Sequence, residues 1–510
     1  MGLGTQAGYN EYFLSRLSSS RSRITPIRFR RDREYLGASE ELSEVTLWVF
    51  AVASIFISGA TLGLLGPVAG VGAAVGCVYA YAVLRYPAVA GFVVAGLVPI
   101  TSGLTRGFPV PGLRLSELIV GATAVLVLLP AWRSRTAKWN AIDWAAFIYA
   151  LAMIVFAVAH LVAEGSPIEM SVMLPMLLPL QFFLIYRIVR ATIPERAQRD
   201  HAVRLMLLAS LAVDALAILQ QLNIGPTRDI VSSITAAEAL ESYGYSFSAR
   251  ATGPFQHWHP LAGYLVVIIL ITTALLLDNA QRILSRRMLV VVLLGAVSAL
   301  ALSVTFVALF GVVVGAIYLG YKAGKFKEAI IVTTLVGVFG ALLFGSFFTS
   351  RLDTQYSTAT GQTRDSIIPQ TVSYRFEVWA DQYIPSLSGR WLAGFGPSLP
   401  DDALWSHTES VYITLALRGG LPLIVLFCVS MYAVHAMAKR VEGEASRTPL
   451  ARALMALVGV LWIMHFLFPY FTSSGMPQPF WALVGICFAG YGVNSWKDSR
   501  VDPPAGRLFQ

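Results

Sequence analysis

Charge is scarce in this chain. Only 13% of its 510 residues are Asp, Glu, Lys or Arg, while 56% are hydrophobic and the mean hydropathy is +0.65. A soluble domain carries about 25% charged residues, so the balance argues against a soluble multidomain protein. Cysteine is nearly absent. Cys77, Cys428 and Cys487 each fall in an apolar run, which argues against a disulfide framework or a zinc site. No Walker-type motif is present, which argues against ATP-driven transport. The start does not read as a cleavable signal peptide. Lysine is missing altogether from two long polar stretches, 223–257 and 350–406, although these carry Arg228, Arg250, Arg351, Arg364, Arg375 and Arg390.

Long apolar runs dominate what is there. Fourteen are long enough, or nearly so, to cross a hydrocarbon core of ~30 Å: 45–64, 66–84, 88–104, 113–131, 141–163, 171–190, 201–222, 258–277, 287–303, 304–321, 329–349, 408–437, 450–469 and 476–493. The third is short enough to be re-entrant. The ninth and tenth form one run that fits two short spans. The predicted fold class is therefore all-α, a polytopic integral membrane protein with about 12–14 transmembrane helices and a large extracytoplasmic loop.

Lysine and arginine set the orientation. With the N-terminus inside, 29 of the 38 basic residues lie on the inner side and 8 on the outer, with Arg418 inside a span. Both termini are then cytoplasmic and both long polar loops are outside, in a bacterial cytoplasmic membrane. The net charge of +9 follows from this topology, so no nucleic-acid partner is expected. The organisation reads as a basic cytoplasmic tail (1–43), a membrane domain with an outer loop at 223–257 (44–349), an extracytoplasmic loop domain (350–406), C-terminal membrane helices (407–495) and a cytoplasmic tail (496–510). The first tail has the composition of a disordered segment able to touch anionic head groups.

The outer loops carry the chemistry. The first ends Arg250-Ala251-Thr252-Gly253-Pro254-Phe255-Gln256-His257-Trp258-His259-Pro260. Gly253 and Pro254 predict a turn, and Pro260 suits the first position of a helix. Interfacial anchoring explains Phe255 and Trp258 but not Arg250 together with His257 and His259. A zinc site there lacks a nearby third ligand.

In the second loop, Tyr374 to Asp381 predicts a short amphipathic helix with Arg375 and Trp379 on one face. Trp391-Leu392-Ala393-Gly394-Phe395-Gly396-Pro397 predicts a tight turn. His407 and Glu409 follow at the start of a span. A carboxylate there can simply cap the helix, or it can serve as general base for a sugar hydroxyl. Arg418 precedes Gly419-Gly420-Leu421-Pro422, a sequence that should break the helix. A charge inside a span faces the protein interior or water. Its alternatives are a structural ion pair with Asp214 or Glu117, and a second phosphate contact. His160, Asp214, Gln220, Gln221 and His465 are weaker, since polar residues in spans commonly make interhelical hydrogen bonds; only His160 is kept as a candidate.

Taken in order, Arg250-x-x-Gly253-x-Phe255 ending in His259-Pro260-x-Ala262, then Arg375-x-x-x-Trp379 with Gly394-Phe395-Gly396-Pro397, then Glu409-Ser410-x-Tyr412 with Gly420, resemble the O-antigen ligase and polymerase family of bacterial envelope glycosyltransferases. The resemblance covers roughly the last 260 residues. It departs from the family in two places. Glu409 stands where the ligases have a catalytic histidine, with His407 two residues early, which tilts the reading toward a polymerase. Ser303-Val304-Thr305-Phe306 lacks the arginine of the family's Ser-Arg pair.

The resemblance implies a GT-C-like helical membrane enzyme that acts on the outer face without a metal or other cofactor. Such an enzyme joins a polyprenyl-pyrophosphate-linked saccharide donor to a glycan or lipid acceptor, with other envelope-assembly proteins as expected partners. The expected roles are pyrophosphate binding by Arg250, Arg375 and Arg418, deprotonation of the acceptor by Glu409 or His407, and sugar or lipid contacts from His257, His259, Trp258, Trp379, Tyr412 and His160. The alternative is a lipid-linked oligosaccharide flippase or other multi-pass transporter. That class usually shows an internal repeat with charged sites near the midplane; here no repeat is evident and the polar groups collect at one surface.

Overall fold

The computed structural model describes residues 67–106, 112–133, 139–236, 250–331, 370–398 and 408–491, with isolated helical positions at 53–54 and between 333 and 349. Most of the spans expected at 45–64 and 329–349, both tails, the whole of 350–369, and His407 lie outside the described residues. Every regular element described is helical.

Seven helices are long and apolar enough to cross a membrane: α5 (Ala141–Ala163), α6 (Met170–Thr192), α7 (Arg196–Gln221), α9 (Trp258–Leu277), α10 (Arg286–Ser303), α13 (Val411–Val441) and α14 (Thr448–Leu467). Shorter apolar helices accompany them: α1 (Pro67–Arg85), α4 (Leu115–Arg133), α11 (Phe306–Lys322) and α15 (Pro477–Phe488). The region expected at 88–104 is two short pieces, α2 (Ala88–Gly96) and α3 (Val98–Thr101). A surface helix α8 (Thr227–Thr235) and a loop helix α12 (Gln370–Val378) complete the set. The architecture is consistent with a polytopic membrane protein.

Helix α9 is the axis. Its most apolar window is 83% buried, against 39% in α5. The two are equally apolar, and lipid satisfies an apolar face as well as protein does; α9 is buried because α10, α11, α14 and α15 pack around it. It matches the run expected at 258–277, starting two residues before Pro260. His257 is its N-cap and accepts the His259 amide through Nδ1 at 3.2 Å, while Pro260 sits in the first turn, where a missing N–H costs nothing.

The two ends of the bundle differ. At one end ion pairs join neighbouring helices: Arg187 and Arg190 with Asp143, Arg282 with Asp200 (3.1 Å), Lys322 with Glu442 (3.1 Å) and Arg452 with Asp278 (2.6 Å). At the other end the described residues of the first polar segment lie against neighbouring helix ends. The Ala251 amide donates to the Leu302 carbonyl (3.0 Å), and the Thr105 amide to that of Ile234 (3.0 Å). This second end is called the loop end below.

Helix α13 breaks at Gly419 and Gly420, as Gly-Gly-Leu-Pro predicts; Gly420 has φ 70°. In a continuous helix the Leu421 amide would donate to the Leu417 carbonyl. Here Leu421 donates to the Trp391 carbonyl at 2.7 Å, and Leu417 accepts from the Phe395 amide at 2.5 Å. The Gly-Phe-Gly turn thus supplies both partners that the break removes, satisfying two backbone groups that would otherwise be orphaned. Side chains are excluded at the contact. A Cβ on Gly394 would lie 2.4 Å from the Leu417 carbonyl oxygen, and one on Gly420 would lie 2.3 Å from that of Trp391.

Candidate functional site

The loop helix brings Arg375 and Trp379 to one place, as their spacing predicts. The chain beyond Val378 continues as a π-turn over Trp379–Tyr383. The indole of Trp379 donates to the Thr408 carbonyl at 2.8 Å. Arg375 donates to the next residue, Glu409, from Nη2 at 2.9 Å and from Nε at 3.2 Å, both to Oε2. Both side chains are largely shielded, at 14% and 25% exposure. The ring of Trp379 is 7% exposed and packs with Tyr383, Leu387, Ala416 and Leu417, so it anchors the loop helix on α13.

Glu409 sits in the left-handed region, at φ 54°. A residue with a Cβ pays of order 1–2 kcal/mol there, and such outliers concentrate where the surroundings fix a functional geometry. The N-cap of α13 is Ser410, whose hydroxyl donates to the His465 carbonyl at 3.2 Å. The Glu409 carboxylate is therefore turned to Arg375 rather than to the first amides of the helix.

The first loop faces the same region. The Arg250 guanidinium lies 4.4 Å above the centre of the Trp258 ring, a cation–π contact. Ring centroids continue from Trp258 to His257 (3.7 Å), from His257 to His259 (4.9 Å), from His259 to Phe468 (3.8 Å) and from Phe468 to Tyr470 (5.0 Å). Tyr470, in a single 3-10 turn (Tyr470–Thr472), is 1% exposed, and its hydroxyl has no hydrogen-bond partner among the described residues. Burial raises its pKa; Arg375 lowers it and Glu409 raises it. The rings from Trp258 to Tyr470 form an aromatic wall with Arg250 at its Trp258 end.

No protein-family model matches the chain, and no curated protein matches it.

The remaining expected residues divide. His160, at the end of α5, is paired through Nε2 with the Ala393 carbonyl at 2.8 Å, and its ring fills the space that a side chain on Gly396 would need. It holds the turn that splices α13. Tyr412 is half-buried and donates to the Trp462 carbonyl at 3.1 Å. Arg418 makes no hydrogen bond or ion pair with any described residue; its charge acts on the Tyr149 hydroxyl of α5. The partners suggested for it are engaged elsewhere or alone. Glu117 accepts from Arg106 at 2.9 Å and from the Arg114 amide at 3.0 Å. Asp214 is 2% exposed, with neither oxygen hydrogen-bonded among the described residues, and it faces the bare Cα of Gly295.

Three residues at this end matter more than their place in the sequence suggests. Gln220 is more than an interhelical contact: its Oε1 accepts the amides of Thr252 (3.0 Å) and Gly253 (2.9 Å), fixing the backbone just after Arg250. Tyr470 directly follows the apolar run 450–469 and carries no further signal in the sequence. Arg114 donates to Ser474 Oγ (3.2 Å) and Gln256 Oε1 (3.4 Å). Its one sequence signal is that it belongs to the scarce arginines on the loop side. Among the described residues no three His, Cys, Asp or Glu side chains gather as a metal site.

Proposed function

We propose that this chain is a membrane glycosyltransferase of the polysaccharide polymerase or ligase kind. It joins polyprenyl-pyrophosphate-linked saccharides on the outer face of a bacterial cytoplasmic membrane, with a GT-C-like fold and inversion at the anomeric carbon. The observation that carries the reading is the Arg375–Glu409 pair, held at the loop end with a left-handed backbone at the carboxylate. The lysine and arginine distribution supports placing that end outside.

In this mechanism the donor pyrophosphate competes with Glu409 for the Arg375 fork, because guanidinium binds phosphate oxygens at least as well as carboxylate. Arg250 reaches the same anion from beside Trp258. Once Arg375 turns to the phosphate, Glu409 is released to accept the proton of the acceptor hydroxyl. The hydroxyl oxygen bonds to the anomeric carbon, the bond from that carbon to the pyrophosphate oxygen breaks, and the pyrophosphate leaves with the electron pair. The arginines stabilise the charge that develops on it. Donor binding thereby precedes activation of the acceptor.

The test is reconstitution of the purified chain in liposomes with a polyprenyl-pyrophosphate oligosaccharide, with products separated on a gel. A ladder of lengthening lipid-linked chains marks a polymerase; transfer to an added envelope acceptor without a ladder marks a ligase. Absence of bond formation with every donor overturns the reading.

One observation favours a second reading, a lipid-linked oligosaccharide flippase. Asp214 is an acid buried inside a candidate span, and such residues commonly lie on ion or proton pathways. Movement of the lipid-linked substrate across the liposome membrane, without bond formation and lost in Asp214→Asn, would establish it.

A further inference from the structure

We infer that Arg114 is a binding residue for the isoprenoid pyrophosphate of the donor, the third guanidinium of the site in the place that sequence alone gave to Arg418. The inference rests on the glycosyltransferase reading and goes beyond it by adding a residue from a segment far from both polar loops.

Charge bookkeeping comes first. Arg106 and Arg114 lie close enough to repel one another, and they share one carboxylate. Glu117 gives Oε1 to the Arg106 side chain and Oε2 to the Arg114 backbone amide. The Arg114 guanidinium is left with two neutral partners at 3.2 and 3.4 Å, and its Nε is buried without a hydrogen bond among the described residues. A guanidinium prefers charged oxygens at shorter distances of about 2.7–2.9 Å. These long contacts to a hydroxyl and an amide position the group without neutralising it.

Placement comes second. Gln256 precedes His257, the N-cap of the central helix and a member of the aromatic wall. Ser474 follows the turn that carries Tyr470, and the next residue, Gly475, packs its bare Cα on Pro260. Arg114 therefore bridges the two segments that form the wall, while Arg250 stands beside Trp258 on the first of them. A pyrophosphate presents two phosphoryl groups and suits more than one guanidinium fork. The stacked rings offer an apolar face to the isoprenoid or sugar beside it.

The experiment uses the full chain in phosphatidylcholine nanodiscs and measures affinity for farnesyl pyrophosphate by thermophoresis, with inorganic pyrophosphate as a second probe. Arg114→Gln keeps a neutral donor toward Ser474 and Gln256 but removes the charge. It should weaken both probes by about tenfold or more, as expected for loss of one charge-assisted contact, and Arg114→Lys should recover part of the loss. If Arg114→Gln binds like the wild type while Arg250→Ala and Arg375→Ala lose affinity, the Arg114 assignment fails and the functional reading stands. A lowered melting temperature with unchanged affinity makes Arg114 a structural clamp only and also overturns the assignment. If the difference between wild type and Arg114→Gln is seen only when phosphatidylglycerol replaces phosphatidylcholine, the site belongs to a phospholipid head group and the assignment falls. A wild-type chain that binds neither probe overturns the functional reading itself.

Discussion

The Arg375–Glu409 pair offers the sharpest test, because stability and activity should respond to it differently. Two donors converge on one carboxylate oxygen at 2.9 and 3.2 Å, with 14% and 25% of the side chains exposed. A fully buried pair loses about 3–5 kcal/mol when one partner is removed, whereas an exposed pair is worth about 0–1 kcal/mol. Partial exposure places this one between them, so Arg375→Gln and Glu409→Gln should each cost about 1–3 kcal/mol, with a coupling of about 1–2 kcal/mol in the double-mutant cycle. Unfolding of detergent-solubilised protein by denaturant titration measures all four forms. Glycan transfer should behave otherwise: each single variant and the double variant should be nearly inactive, since the proposed mechanism needs both a base and a phosphate contact. A third variant separates backbone strain from chemistry. Glu409→Gly also removes the carboxylate, but it relieves a left-handed conformation worth about 1–2 kcal/mol, so it should be more stable than Glu409→Gln and equally inactive. A coupling below about 0.3 kcal/mol, within the error of additivity, would show that the ion pair does not hold the loop helix on α13. Normal glycan from Glu409→Gln would refute its role as base.

Three further outcomes follow from the geometry. Gly420→Ala forces a Cβ to within 2.3 Å of the Trp391 carbonyl oxygen at φ 70°; it should cost about 2–4 kcal/mol by overpacking and strain, and an unchanged melting temperature would show that the turn does not seat on the break. Gln220→Leu strips the acceptor from the buried Thr252 and Gly253 amides; at about 1–3 kcal/mol for each unsatisfied donor, it should speed hydrogen exchange of both amides, and unaltered protection would refute the clamp. Transfer should continue in EDTA, because the arginines are proposed to stabilise the leaving group; a loss of activity restored by magnesium would require a different catalyst.

Much of the fold is legible in the chain because a bilayer demands long apolar runs, and runs are local. The start and end of α9, and the break at Gly419–Gly420, follow from residues within a few positions of each other. The site is legible only by residue type. Arg250, Arg375 and Glu409 stand out as charges beside apolar runs, and the shared face of Arg375 and Trp379 follows from a four-residue spacing. Nothing local shows that the carboxylate of Glu409 is turned to an arginine 34 residues earlier, and the alternative of helix capping reads equally well. His160 stands out as a polar residue at the end of a span, yet its partner is a carbonyl 233 residues away.

By itself, then, the sequence determined that this is an all-helical chain with helices suited to a membrane, with polar chemistry gathered in two lysine-free loops, because hydropathy and charge act along the chain. Only the tertiary structure decided which of those groups meet. The turn that repairs the broken α13, the clamp of Gln220 on the Arg250 loop, and the bridge of Arg114 between Gln256 and Ser474 depend on how helix ends far apart in sequence are packed. Backbone groups freed by a break, and guanidinium groups lacking a nearby acid, take whatever partner the packing brings within hydrogen-bond reach.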